Sequence, residues 1–93
     1  MIRSFGNKDT ESIWQEQYIK RFDRTVQRAT LRNLELIHAA KDVEDLRVPP
    51  GHRLECLVGD RRGQPSIRVN AQWRICFTWT EGGTDDVELV GYH

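Results

Sequence analysis

Hydrophobic and polar positions divide the chain into a helical first half and a strand-like second half. Residues 2–5 (I-R-S-F) alternate in polarity, which predicts a short strand. Asp9-Thr10-Glu11 reads as a helix start with acids in its first turn, and Ile13, Trp14 and Tyr18 supply its apolar contacts. A longer helix is expected after Asp23, a candidate N-cap. At 100° per residue, Phe22, Val26, Ala29, Leu36, Ile37 and Ala40 gather in one sector, a core stripe. Asn33 falls on the same stripe, and the periodicity gives no reason for it. Leu31 and Leu34 lie off the stripe, either against the first helix, making a helical hairpin, or as a patch for a partner.

The helix should end near Lys41, because Val48-Pro49-Pro50-Gly51 forbids helix and strand alike. Beyond it the rhythm changes to period two. R-L-E-C-L (53–57), S-I-R-V (66–69), W-R-I-C-F-T-W (73–79) and V-E-L-V (87–90) read as strands. The turns between them are G-D-R-R-G-Q (59–64), N-A-Q (70–72) and E-G-G-T-D-D (81–86). The order β-α-α-β-β-β-β predicts one α+β domain over 1–93, with two N-terminal helices on one face of a mainly antiparallel sheet of about five strands. Strand parity puts Trp73, Ile75, Phe77 and Trp79 on the helix-covered face. Arg74, Cys76 and Thr78 then point the other way, and Arg68 joins them because Ile67 and Val69 need burial.

The net charge is zero, but it is unevenly spread. Residues 47–74 hold six arginines and no lysine against Glu55 and Asp60, and residues 75–93 hold four acids and no Lys or Arg. An arginine field is either a solvated sheet edge or a phosphate-binding surface, since the guanidinium fork matches phosphate. Cys56 and Cys76 sit in strand patterns and are expected to be small buried thiols. The three histidines, at 38, 52 and 93, show no metal-ligand spacing, and His38 and His52 are expected to be structural or solvated. No apolar run suits a membrane span and the N-terminus lacks a signal-peptide pattern, so a cytoplasmic location without a membrane partner is the simplest expectation.

The run G-H-R-L-E-C-L-V-G-D-R-R-G-Q-P-S-I-R-V-N-A-Q-W-R-I-C-F-T-W, the ending V-E-L-V-G-Y-H and the opening M-I-R-S-F together resemble the HigB branch of the RelE-like bacterial toxins. The resemblance is dense over 47–93. It implies a ribosome-dependent mRNA endonuclease, the toxin of a toxin–antitoxin pair. mRNA on the ribosome is its implied substrate, and a helix-turn-helix (HigA-like) antitoxin its partner. It implies no metal and no small-molecule cofactor. The family's terminal Asp-Tyr-His motif is here Gly91-Tyr92-His93. Glu55 stands where some members have histidine, Pro65 where an aromatic residue or histidine is common, and Val58 where lysine often sits.

Cleaving RNA through its 2′-OH needs a base, an acid and cations for the phosphate. His93 can serve as acid or base, with Glu55 in the opposite role; Arg68 and Arg74 would steady the phosphate. Tyr92 would stack on a base or position the 2′-OH. Arg61 and Arg62 on the turn would grip flanking phosphates, and Arg53 and Asn70 complete the expected substrate-binding set. The alternative, favoured by Gly91, Pro65 and Val58, is a weakly active or inactive toxin-fold module that holds an antitoxin and tunes its DNA binding.

Overall fold

The computed structural model describes residues 1–56 and 64–91. Helix α1 (Lys8–Trp14) starts at Asn7, whose Oδ1 accepts from the Thr10 backbone N–H at 2.9 Å and from the Thr10 hydroxyl at 2.6 Å. Helix α2 (Arg24–Ala39) starts at the expected cap, where the Asp23 carboxylate accepts from Thr25 N–H at 2.7 Å. It stops at Ala40, one residue from the expected end.

The buried side of α2 differs from the expected stripe. Thr30, Asn33, Leu34 and Ile37 are its buried residues, whereas Leu36 is exposed. Leu34 is thus a central core residue. The cause is that Thr30 and Asn33 occupy the buried sector, so counting apolar residues alone rotates the stripe toward Leu36. Both polar residues belong to a helix whose other buried members, Leu34 and Ile37, have no exposed surface at all.

After α2 the chain makes two short 3-10 turns, Val43–Arg47 and Pro50–His52, where no helix of any kind was expected. Asp42 and Asp45 form a reciprocal capping box on the first. Pro50 opens the second, a place where a missing N–H costs nothing.

The sheet is antiparallel, with strand order β1 (Glu55–Cys56), β2 (Pro65–Arg68), β3 (Trp73–Thr80), β4 (Gly83–Gly91). The expected five strands are not met. Among the described residues β1 has only two, leaving three strands of any length, and residues 2–5 form only two isolated parallel bridges to β4, Ile2 with Thr84 and Phe5 with Val87. This segment is still tied down: Thr84 N–H donates to Met1 O, Arg3 N–H to Thr84 O, Val87 N–H to Ser4 O and Gly6 N–H to Val87 O. A register shift in β4 opposite Cys76–Thr78, with Asp86 at φ 54°, interrupts the ladder and keeps the segment from being a full strand. The same bulge hid the true turn: β4 begins at Gly83, not 87, and the turn is Glu81-Gly82 rather than 81–86.

The β2–β3–β4 register pairs Ile67 with Ile75 and Ile75 with Leu89, and all three are buried. They meet Ile13, Phe22, Leu34, Ile37, Leu46, Phe77 and Val87 in one core between the sheet and the helices. Trp73 and Trp79 pack on its margins, Trp73 edge-on to Phe22 at 5.1 Å. Phe22 therefore anchors the core from the approach to α2, as its place in the expected stripe required. Among the described residues no helix is long and apolar enough to cross a membrane.

Candidate functional site

On the face turned away from the helices, the register stacks two rows across the strands. Glu55, Ser66, Cys76 and Glu88 are successive cross-strand partners, and beside them run Arg68, Arg74 and Val90. The parity expected from Ile67 and Val69 therefore places Arg68 directly opposite Arg74.

Arg74 is not open to solvent as that parity suggested. Its residue exposure is 5%. Its Nε donates to Ser66 Oγ at 2.8 Å, and its Nη2 donates to Arg53 O at 2.8 Å and to Ser66 O at 3.1 Å. Nη2 also lies 3.5 Å from Glu55 Oε1, and that carboxylate remains 56% exposed. The segment preceding β1 closes over the guanidinium because Arg53 adopts a left-handed conformation at φ 46°, turning its carbonyl toward Arg74. A buried cation thus underlies an exposed carboxylate. Among the described residues Glu55 makes its ion pair with Arg74.

Arg68 is half-buried, and its Nε donates to Asn70 O at 3.0 Å. Asn70 shapes the β2–β3 turn: its Oδ1 accepts from Gln72 N–H at 2.7 Å and Trp73 N–H at 2.9 Å. Its carboxamide oxygen is occupied there, so its backbone is what meets the site, by orienting Arg68. The Arg53 side chain is exposed at the lip. Arg61, Arg62, Tyr92 and His93 lie outside the described residues. Cys76 is completely buried, as expected; Cys56 begins the edge of the described region.

Two features of the site were missed in the sequence. Ser66 anchors Arg74 through both its hydroxyl and its carbonyl, and its parity with Arg68, two residues on, was the available signal. The other is a buried chain of polar contacts behind β2. His52 Nδ1 lies 3.1 Å from Leu46 O, its Nε2 lies 3.2 Å from Asn33 Oδ1, and Asn33 Nδ2 donates to Arg68 O at 3.4 Å. This accounts for Asn33 on the buried side of α2: it joins the helix to the 3-10 turns and to the strand that carries Arg68. His52 is buried, hence structural, whereas His38 is exposed and its Nδ1 accepts from Ile2 N–H. Among the described residues no group of three His, Cys, Asp or Glu is placed to hold a metal ion.

Comparison with known proteins agrees with this architecture. The family described as the RelE-like toxin of type II toxin–antitoxin system HigB matches residues 3–93. Toxin HigB-1 of Vibrio cholerae serotype O1 is 41% identical over 83 residues, covering 88% of this chain and 87% of that protein. An uncharacterized protein of Haemophilus influenzae is 34% identical over 58 residues, covering 62% of this chain and 57% of its own length. With the match running through both helices and the whole sheet, this chain belongs to the HigB branch of the RelE-like toxins of type II toxin–antitoxin systems.

Proposed function

We propose that the chain is an endoribonuclease toxin that cuts mRNA on the ribosome in the cytoplasm, and that a helix-turn-helix antitoxin restrains it. The observation that carries this reading is the meeting of Glu55, Arg68 and Arg74 on the sheet face away from the helices, beside Val90. Two residues, Gly91 and Tyr92, separate Val90 from His93, so the three Cα–Cα steps between them hold the Cα of His93 within about 11 Å of that of Val90. That is near enough for His93 and Glu55 to flank one phosphodiester.

In the reaction one of these two groups takes the 2′-OH proton, and the 2′-oxygen forms a bond to phosphorus. The bond from phosphorus to the 5′-oxygen breaks, and the other group protonates that oxygen. Arg68 and Arg74 stabilise the negative charge that grows on the phosphate, and the burial of Arg74 strengthens its field there. Tyr92 orients the target nucleotide, while Arg53, Arg61 and Arg62 hold the flanking phosphates. A zero net charge gives weak attraction for RNA in general, which accords with a strand presented by the ribosome.

The test expresses the chain and its His93→Ala and Arg68→Gln variants in growing cells and maps mRNA 5′ ends. Codon-associated cuts are expected from the parent chain and should fall at least about a hundredfold in each variant, the low end of the range for losing one acid–base group or one charge-stabilising donor. Growth arrest without cuts removes the nuclease reading. The second reading, a toxin-fold module that tunes antitoxin binding to DNA, is favoured by Gly91 where the family has an acid. It wins if neither cuts nor arrest occur and the chain still co-purifies with its antitoxin.

A further inference from the structure

The solvent side of α2 carries charge that the site does not use. Residues 20–32 hold Lys20, Arg21, Arg24, Arg28 and Arg32 against the single acid Asp23, and all five cations are exposed. Asp23 is engaged as the N-cap of α2, and Asp9 pairs with Arg21 at 2.5 Å. Arg24, Arg28 and Arg32 recur every fourth residue, so they rise along the helix about 6 Å apart. Arg28 and Arg32 lie roughly 160–200° around the helix from the buried Thr30, on the side pointing away from the sheet. Among the described residues neither makes a side-chain hydrogen bond or an ion pair. Arg24 lies over the ring of Tyr18, 5.1 Å from its centroid, and Tyr18 is 60% exposed.

Helix stability does not call for this arrangement. The N-terminal end of a helix dipole favours anions, and like charges four residues apart repel. Helix α1 follows the rule with Asp9 and Glu11 in its first turn; α2 has no acid there and begins with Arg24. Arg24 in the first turn and the like charges of Arg28 and Arg32, with Glu35 the only acid within α2, point to an anionic ligand. A protein partner would want a dehydrated apolar centre. This ridge instead has guanidinium forks at its centre and an aromatic ring at its end, the combination that holds phosphate and stacks on nucleotides.

We propose that the Arg24–Arg28–Arg32 ridge, with Tyr18 beside it, is a second RNA-binding surface that grips the phosphate backbone of helical RNA on the side opposite Glu55, Arg68 and Arg74. The proposal rests on the reading that the chain acts on RNA, and it adds a surface that holds the protein on a structured RNA while the other face meets the strand to be cut.

The test measures fluorescence anisotropy of a labelled 20-base-pair RNA duplex with the full chain and with Arg28→Gln/Arg32→Gln, from 50 to 200 mM KCl. The double variant should bind at least about tenfold more weakly at the lowest salt. The slope of log affinity against log salt should shrink by roughly 1.5–2, the loss of two phosphate contacts. Its melting temperature should equal or exceed the parent's, since it relieves repulsion on α2; an intact fold with unchanged affinity and slope overturns the proposal. Displacement of the duplex by poly-glutamate at equal charge concentration also overturns it, in favour of an acidic protein partner. A parent chain that binds the duplex through the ridge yet cuts no mRNA in cells defeats the nuclease reading alone. One that cuts mRNA, but whose duplex binding ignores residues 28 and 32, defeats the ridge alone.

Discussion

Arg74 joins three pieces of backbone through a single planar group. Its Nε and Nη2 reach Ser66 Oγ, Ser66 O and Arg53 O, and Nη2 approaches Glu55. Lysine keeps the charge but not the fork, so Arg74→Lys leaves some of these acceptors dehydrated and unmatched. A hydrogen bond to a charged group contributes about 1.5–3 kcal/mol, and a loss of that order is expected in urea unfolding. Strand parity was enough to assign Arg74 to the face away from the helices. It could not show the burial, because the cover comes from Arg53 turning its carbonyl inward, at a conformation that the sequence Gly51-His52-Arg53-Leu54 does not announce. Asn33 teaches the related lesson. A carboxamide in a core stripe looks misplaced until the carbonyl of Arg68 and the ring of His52 are brought to it from segments distant in sequence.

Helix α2 shows at the level of elements what a one-dimensional pattern can and cannot carry. Both its ends were legible, since Asp23 caps it and the stretch after Lys41 lacks any continuation of its rhythm. Its rotation was not, because Thr30 and Asn33 sit in the buried sector and Leu36 does not. The difference is measurable. Leu34→Ala should destabilise the fold by about 2–5 kcal/mol, as expected for a fully buried leucine whose cavity closes only partly. Leu36→Ala should change stability by less than about 0.5 kcal/mol. Comparable losses at both positions in chemical denaturation would restore the stripe that counting produced. β3 was legible throughout, since W-R-I-C-F-T-W alternates strictly and its boundaries differ from the expected ones by one residue. β4 was legible only in its second half, because a bulge shifts parity between 83 and 87 and makes the first residues resemble a long turn.

Across the whole molecule, the N-terminal segment is fastened to the final hairpin. The Arg3 guanidinium bonds to both carboxylate oxygens of Asp85 and also donates to Thr80 Oγ1 at 3.2 Å. The hydrogen bond from Arg3, with its charge in support and against a smaller opposing effect of desolvation, holds the Asp85 carboxyl below its ordinary range. A carboxylate with a lowered folded-state pKa contributes stability above its unfolded pKa and loses it as pH falls through the folded one. The difference in melting temperature between the parent and Asp85→Asn should therefore be constant near neutrality and shrink below about pH 4. The effect should be small, because the pair is exposed and screened by solvent. A difference that grows on acidification would show that Asp85 is not held in its charged form.

The backbone bonds from residues 1–6 to β4 also bear on how the protein behaves when crowded. A naked β-edge is a template on which further copies can add strand by strand. Here β4 has that flank occupied by its own chain, and at the opposite side of the described sheet β1 offers only Glu55 and Cys56. Two residues are too short a rail for fibril growth. Among the described residues, no long bare strand is left through which molecules accumulating at high concentration could seed one another's aggregation.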